Sequence, residues 1–199
     1  MLPIHDYFSL VSSYIPFVSG LIFYRVLDKN LKILLIFIFV KIITDAVAIT
    51  LAMHQLNNMW IFHIYTLLEY CFLTYILANW QQVKLSKIIL FTSIFVFAMI
   101  WIISKFTIEK FILFDNYTST LSSTLLTGLS LLTLFQIMKD NLTGIFHDHR
   151  FWVSFAILIY AAGNFFTFAM ATVYLWSPHN MINILSNLCY TGGFLSNRR

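Results

Sequence analysis

Three ionisable side chains stand where ionisable groups are costly. Glu69 lies near the middle of the apolar run Asn58–Asn79 (NMWIFHIYTLLEYCFLTYILAN), and Lys41 and Asp45 lie inside the preceding run. A carboxylate at membrane depth costs at least a few kcal/mol, so it is normally turned into a bundle or a wet cavity and given a partner. Lys41 and Asp45 stand at i, i+4, the least costly pairing for two charges in hydrocarbon. At about 100° per residue, His63, Thr66, Glu69 and Tyr70 share one third of a helix surface, leaving Ile61, Leu68 and Phe72 for lipid. Groups so placed could hold a ligand, pass a proton or, where His63 faces Glu69 and Asp45, perform acid–base chemistry.

Further polar groups fall at matching depths. Asn164 and Thr167 share a stripe with Tyr160, Gly163, Ala171 and Tyr174, and Asn180, Asn183 and Asn187 form a helical ladder with Tyr190. Asparagines in lipid must find partners inside the bundle. The expected ligand-binding set is therefore Lys41, Asp45, His63, Glu69, Tyr70, Asn164, Thr167, Asn180, Asn183 and Asn187. They would line a polar pocket in the outer half of the bundle, with Glu69 at its floor and His54 and His179 at its mouth. The competing reading is a satisfied interhelical network that fixes packing alone.

The elements that must position these groups are membrane helices. The 199 residues are 60% hydrophobic and only 10% charged, against about 25% charged in soluble domains. Seven spans are expected, at about 7–27, 31–53, 58–79, 86–104, 117–138, 151–175 and 178–195, each near the about 20 residues a crossing needs. Short connections make residues 1–199 one all-α, polytopic membrane domain. No cleavable signal peptide is read at the start, which has no basic residue before its first apolar run. Basic residues set the orientation. With the N-terminus outside, inner segments hold Arg25, Lys29, Lys32, Lys84, Lys87, Lys139, Arg150, Arg198 and Arg199, and outer ones only Lys105 and Lys110. The C-terminus is then cytoplasmic, and the expected location is a bacterial inner (plasma) membrane. Span 86–104 has no ionisable residue after Lys87 and reads as lipid-facing. Pro16 and Gly20 mark a kink or close helix contact. The hydroxyl-rich run Thr118–Ser130 reads as packing surface, as do Cys71 and Cys189.

Several chemistries are set aside. A Schiff-base retinal protein needs a lysine in its last span, and 178–195 has none. His54, His63 and His179 could approach one another as metal ligands, but no HxxxH or HxxE pair lies on one span, so no metal and no cofactor is expected. His147 to Arg150 reads as a solvated turn. No GxSxG or SxxK context surrounds a serine, no phosphate loop occurs, and the scattered basic residues do not suggest nucleic acid. Asn116-Tyr117-Thr118 is a sequon on the expected outer side.

The segments NNMWIFHIYTLLEY and WSPHNMINILSNLCYTGGF resemble blocks in small seven-helix bacterial integral membrane proteins. The resemblance covers most of the chain, implies the seven-helix fold and names no activity; the association of such proteins with signalling genes favours a sensory role. The leading expectation is a receptor-like module that binds a small molecule within the bilayer. It would signal through a membrane partner or through a cytoplasmic partner at 27–32, 81–87 and 139–150. A small-solute or proton-coupled transporter ranks next, and an intramembrane enzyme acting on lipid ranks last.

Overall fold

The computed structural model describes residues 14–109, 111–140 and 145–176, with 171–176 given by backbone alone. Residues 14–22 are helical. Five long helices follow: α1 (Lys29–Met53), α2 (Met59–Trp80), α3 (Lys84–Thr107), α4 (Tyr117–Asp140) and α5 (His149–Trp176). A 3-10 turn, Ile145–His147, precedes the last of them. All five are long and apolar enough to cross a membrane, so the all-α, membrane-helix character expected from composition holds. The first expected span is described only from residue 14, and 178–195, with Asn180, Asn183 and Asn187, lies outside the described residues.

Local chemistry sets the helix ends. Asp28 caps α1 by accepting the Leu31 amide at 2.8 Å, satisfying one donor that a helix start leaves free. The helix stops where Gln55 takes a left-handed φ of 59°, and the Leu56 amide returns to the Leu51 carbonyl at 2.9 Å. Asn58 then ties the start of α2 to α1 by donating to the Ala48 carbonyl at 3.1 Å. At the other end of α2, Gln81 donates to Thr133 of α4 at 2.6 Å. Such bonds carry weight because the bilayer offers no competing water.

α2 is the centre of the bundle and touches each of the other four helices. Within its membrane-spanning window 56% of residues are buried, against 17% for α1 and 11% for α3. Tyr70, Ile76, Leu77, Leu90, Phe97 and Leu126 lie in its packed surround. This corrects the expectation for Ile61, which is buried rather than lipid-facing, while Leu68 is exposed. The hydroxyl stripe of α4 is buried as a packing surface, and Thr66 of α2 pairs there with Ser119 at 3.1 Å. Gly128 is not part of that close contact, since a Cβ there would meet nothing within 4 Å. Gly20 is: a Cβ would stand 2.5 Å from Leu35 Cδ1.

Candidate functional site

The described side chains gather into two polar centres, both built on α2. The first surrounds Glu69. Tyr160 of α5 donates its hydroxyl to the Glu69 carboxyl in a hydrogen bond that joins the two helices. Tyr65 and Asn164 lie beside that hydroxyl. Lys41 and Asp45 form their intrahelical ion pair at 2.7 Å, with Lys41 close enough to Glu69, and Asp45 to Tyr65, for their charges to be felt. Lys41, Asp45, Glu69 and Asn164 are thus brought together.

Beside this centre lies a cavity of about 540 Å³ between α1, α2, α5 and residue Pro16. Its wall is chiefly apolar, with Leu34, Phe37, Leu73 and Ile157 among the lining residues, and Lys41, Tyr65 and Tyr160 supply its polar edge. It runs from near the starts of α1 and α5 to the middle of the bundle. That is the end bearing Lys29, Lys32, Lys84, Lys87, Lys139 and Arg150, opposite to the end that holds His63. His63 therefore stands apart from this cavity, and Asn180, Asn183 and Asn187, which the expected outer pocket also needs, lie outside the described residues.

The second centre closes the opposite end, where α2 begins, α3 finishes and α4 starts. Lys105 is buried there, and its three N–H groups are shared among four acceptors, His63 Nδ1 at 2.6 Å, Glu109 Oε2 at 2.7 Å, Thr118 Oγ1 at 2.8 Å and Asp115 Oδ1 at 3.1 Å. With Nδ1 accepting, the other ring nitrogen of His63 carries the proton, and Nε2 donates to the Leu113 carbonyl at 2.9 Å; these bonds assign the neutral tautomer. The Thr118 hydroxyl lies against both carboxylates and can donate its one proton to either. The Tyr117 amide donates to Glu109 Oε1 at 2.5 Å, so Glu109 covers the amino end of α4, where a negative charge is favoured. Burial by itself would raise the Glu109 carboxyl, but the Lys105 ammonium, the Thr118 hydroxyl and the Tyr117 amide together hold it below the usual carboxylate range. Trp101 donates to the His63 carbonyl at 3.0 Å and presents its ring 5.6 Å from the ammonium.

By sequence, Lys105 falls in an outer segment, and span 86–104 has no ionisable group beyond Lys87. In fact α3 continues to Thr107, and Lys105 turns inward. The available signal was the spacing Lys105–Glu109, the same i, i+4 pair noticed at Lys41–Asp45, followed by Asp115 after the apolar FILF segment. The remaining expected site residues separate. Tyr70 is wholly buried but donates to Ser93 of α3 at 3.1 Å. Thr167 is exposed and bonds to the Gly163 carbonyl of its own helix at 3.0 Å. His54 is the exposed residue after α1, and His179 lies outside the described residues. Within the sequon, Asn116 and Thr118 are buried and Thr118 belongs to the ion cluster, which removes it as an accessible acceptor.

Comparison of the chain with protein-family models, curated proteins and solved structures finds no match.

Proposed function

We propose that the protein is a receptor-like membrane module of seven spans that binds a neutral amphiphile in the cavity between α1, α2 and α5. The observation that carries this reading is the cavity itself: an apolar space of about 540 Å³ with Lys41, Tyr65 and Tyr160 at its polar edge. Ligand sites are commonly apolar clefts of this size with a few convergent polar groups. Lys41 is already matched by Asp45, so an anionic head would have to displace a carboxylate. A carbonyl or hydroxyl head is the better complement, and a quinone or long-chain alcohol has that chemistry.

The orientation in this reading has the N-terminus outside and the C-terminus in the cytoplasm of a bacterial inner membrane. Its support is the crowding of basic residues at the α1-start end, together with the withdrawal of Lys105 into the protein, which lowers the exposed positive charge opposite. A signalling partner would meet the turns before α1, α3 and α5. Trp152 lies in the cavity wall and supplies the test. A short-chain quinone added to the protein in nanodiscs should quench part of its tryptophan fluorescence saturably, and Ala156→Phe, which fills the cavity, should abolish the saturable part. Equal, non-saturating quenching in both would reject the site.

A proton-coupled carrier is the second reading, favoured by the adjacency of Glu69–Tyr160 to Lys41–Asp45. Liposomes containing the protein would then acidify when the same quinone, or another cavity ligand, is supplied down a gradient. The acid–base trio His63, Glu69 and Asp45 that an enzyme would use has no geometric support, because His63 is engaged with Lys105.

A further inference from the structure

The cluster at the α2–α3–α4 end is built like a cation site with an ammonium already in it. His63, Glu109 and Asp115 each offer one ligand atom, and these atoms lie within 4.8 Å of one another. All three side chains are buried, His63 completely. Lys105 Nζ sits among them at 2.6 to 3.1 Å. Two carboxylates against one ammonium and a neutral imidazole leave one negative charge in excess. Asp115 Oδ2 is buried and has no hydrogen-bond partner among the described residues, so the cluster keeps an unused anionic donor.

We infer that His63, Glu109 and Asp115 form a binding site for Zn²⁺, and that the Lys105 ammonium occupies it when the metal is absent. One imidazole nitrogen and two carboxylate oxygens are a donor set suited to zinc, with a fourth position left for Thr118 or water. The His63 nitrogen facing the centre is the unprotonated one, and Nε2–H is oriented by the Leu113 carbonyl at 2.9 Å, as metal-bound histidines usually are. Replacing the monovalent ammonium by a divalent ion cancels the excess charge. The ligands must close by about 0.5–1 Å to reach zinc bond lengths of about 2.0–2.2 Å, a movement the site requires of the Glu109 and Asp115 side chains. Metal binding would require Lys105 to leave; it stands in the last turn of α3, and a flexible four-carbon stem beside the Trp101 ring, 5.6 Å from the ammonium, is the means for that.

The test titrates chelator-stripped protein in detergent with Zn²⁺ against a chromogenic chelator, and with Co²⁺ for its ligand-field bands. One equivalent should bind, with the intense absorption of a low-coordinate cobalt site. Asp115→Asn and His63→Gln should each weaken binding by about a hundredfold. Lys105→Ala, purified with Zn²⁺ present, should bind about tenfold or more tightly than wild type, because the internal competitor is gone. Absence of stoichiometric metal in both wild type and Lys105→Ala would overturn the inference and leave the cluster as a structural ion network. Binding unchanged by Asp115→Asn would overturn it equally, by placing the metal elsewhere.

Discussion

Replacing Lys105 by Met keeps the stem and removes the charge, and its cost in the absence of metal can be worked from the cluster. At an effective dielectric constant of about 20, the ammonium at 2.7 Å from Glu109 and 3.1 Å from Asp115 contributes about 6 and about 5 kcal/mol of attraction. Losing both would leave uncompensated the repulsion of two buried carboxylates within 4.8 Å of each other, at least about 3.5 kcal/mol. The protein need not bear that full cost, because one carboxyl can take up a proton. At pH 7, protonating a group that ordinarily titrates near 4 costs about 4 kcal/mol and returns the cluster to the net charge it had with its ammonium, which caps the loss near that figure, in line with the about 3–5 kcal/mol found for broken buried pairs. The cap has a signature: it falls by about 1.4 kcal/mol for each unit of pH lowered. Wild type moves the other way. Its Glu109 carboxyl is held low, so the stability this contributes is present above the ordinary glutamate range and is lost as pH falls through the lower folded value. Reversible unfolding in mixed micelles with chelator present measures both, at pH 7, 6 and 5 for the gap between the two proteins and at pH 4 and 3 for the wild-type loss. Lys105→Met should be about 4 kcal/mol less stable at pH 7, with the gap narrowing on acidification. A gap under about 1 kcal/mol at pH 7, or one that does not narrow, refutes the buried-cation account.

Three further outcomes are expected. Gln55 holds a φ of 59° at the end of α1, so Gln55→Gly should stabilise by about 0.5–1 kcal/mol in the same assay, since only glycine takes that conformation without strain. Asp148 makes a two-pronged pair with Arg150, at 2.9 and 2.6 Å, just before α5. Because Arg150 holds its carboxyl below the usual range, this stabilisation is present above the ordinary aspartate range and disappears as pH falls through the folded value. Asp148→Asn should remove that pH dependence and cost about 1 kcal/mol at pH 7. Tyr160→Phe deprives Glu69 of its hydrogen bond and should destabilise by about 1–2 kcal/mol; Glu69→Gln should restore much of the loss when combined with it, which a double-mutant cycle reads directly.

The positions of the five long helices were legible in the sequence because a bilayer imposes length and apolarity on every crossing segment. The Lys41–Asp45 pair was legible because both partners lie on one helix and their spacing decides the matter. What periodicity left open was which neighbour each polar residue addresses. His63 and Glu69 do share one third of the α2 surface, but at its two edges, about 120° apart. His63 consequently meets α3 and the start of α4, while Glu69 meets α5. Tyr70 lies only about 20° from His63 around the axis and faces Ser93 of α3. Lys105 escaped for a related reason. A basic residue near the end of an apolar run is ordinarily a topology marker, and only the folding back of Glu109 and Asp115 beneath it turns it inward.

The two centres make different demands on α2, and this decides which wall of the cavity can yield. α2 is pinned at its start by the Lys105 cluster and by Trp101 on the His63 carbonyl, and at its end by Gln81 on Thr133. α5 packs most extensively against α4 and is bonded to α2 through Tyr160. α1, by contrast, packs chiefly against α2 among the described residues, and its cross-links there include Asn58 to Ala48, the Asn79–Asn30 contact at 3.2 Å and the exposed His149–Asp28 pair. Entry of a ligand should therefore displace α1 and leave the α2–α4 core in place. Spin labels at Lys29 and Phe146, both exposed, span the starts of the two cavity walls, and labels at Val83 and Met138 report the core. After replacement of Cys71 and Cys189, a short-chain quinone in nanodiscs should lengthen the first distance and leave the second unchanged. If both distances stay fixed while the Trp152 signal saturates, ligand binding occurs without a moving wall, and the receptor-like part of the proposed function fails while the binding site stands.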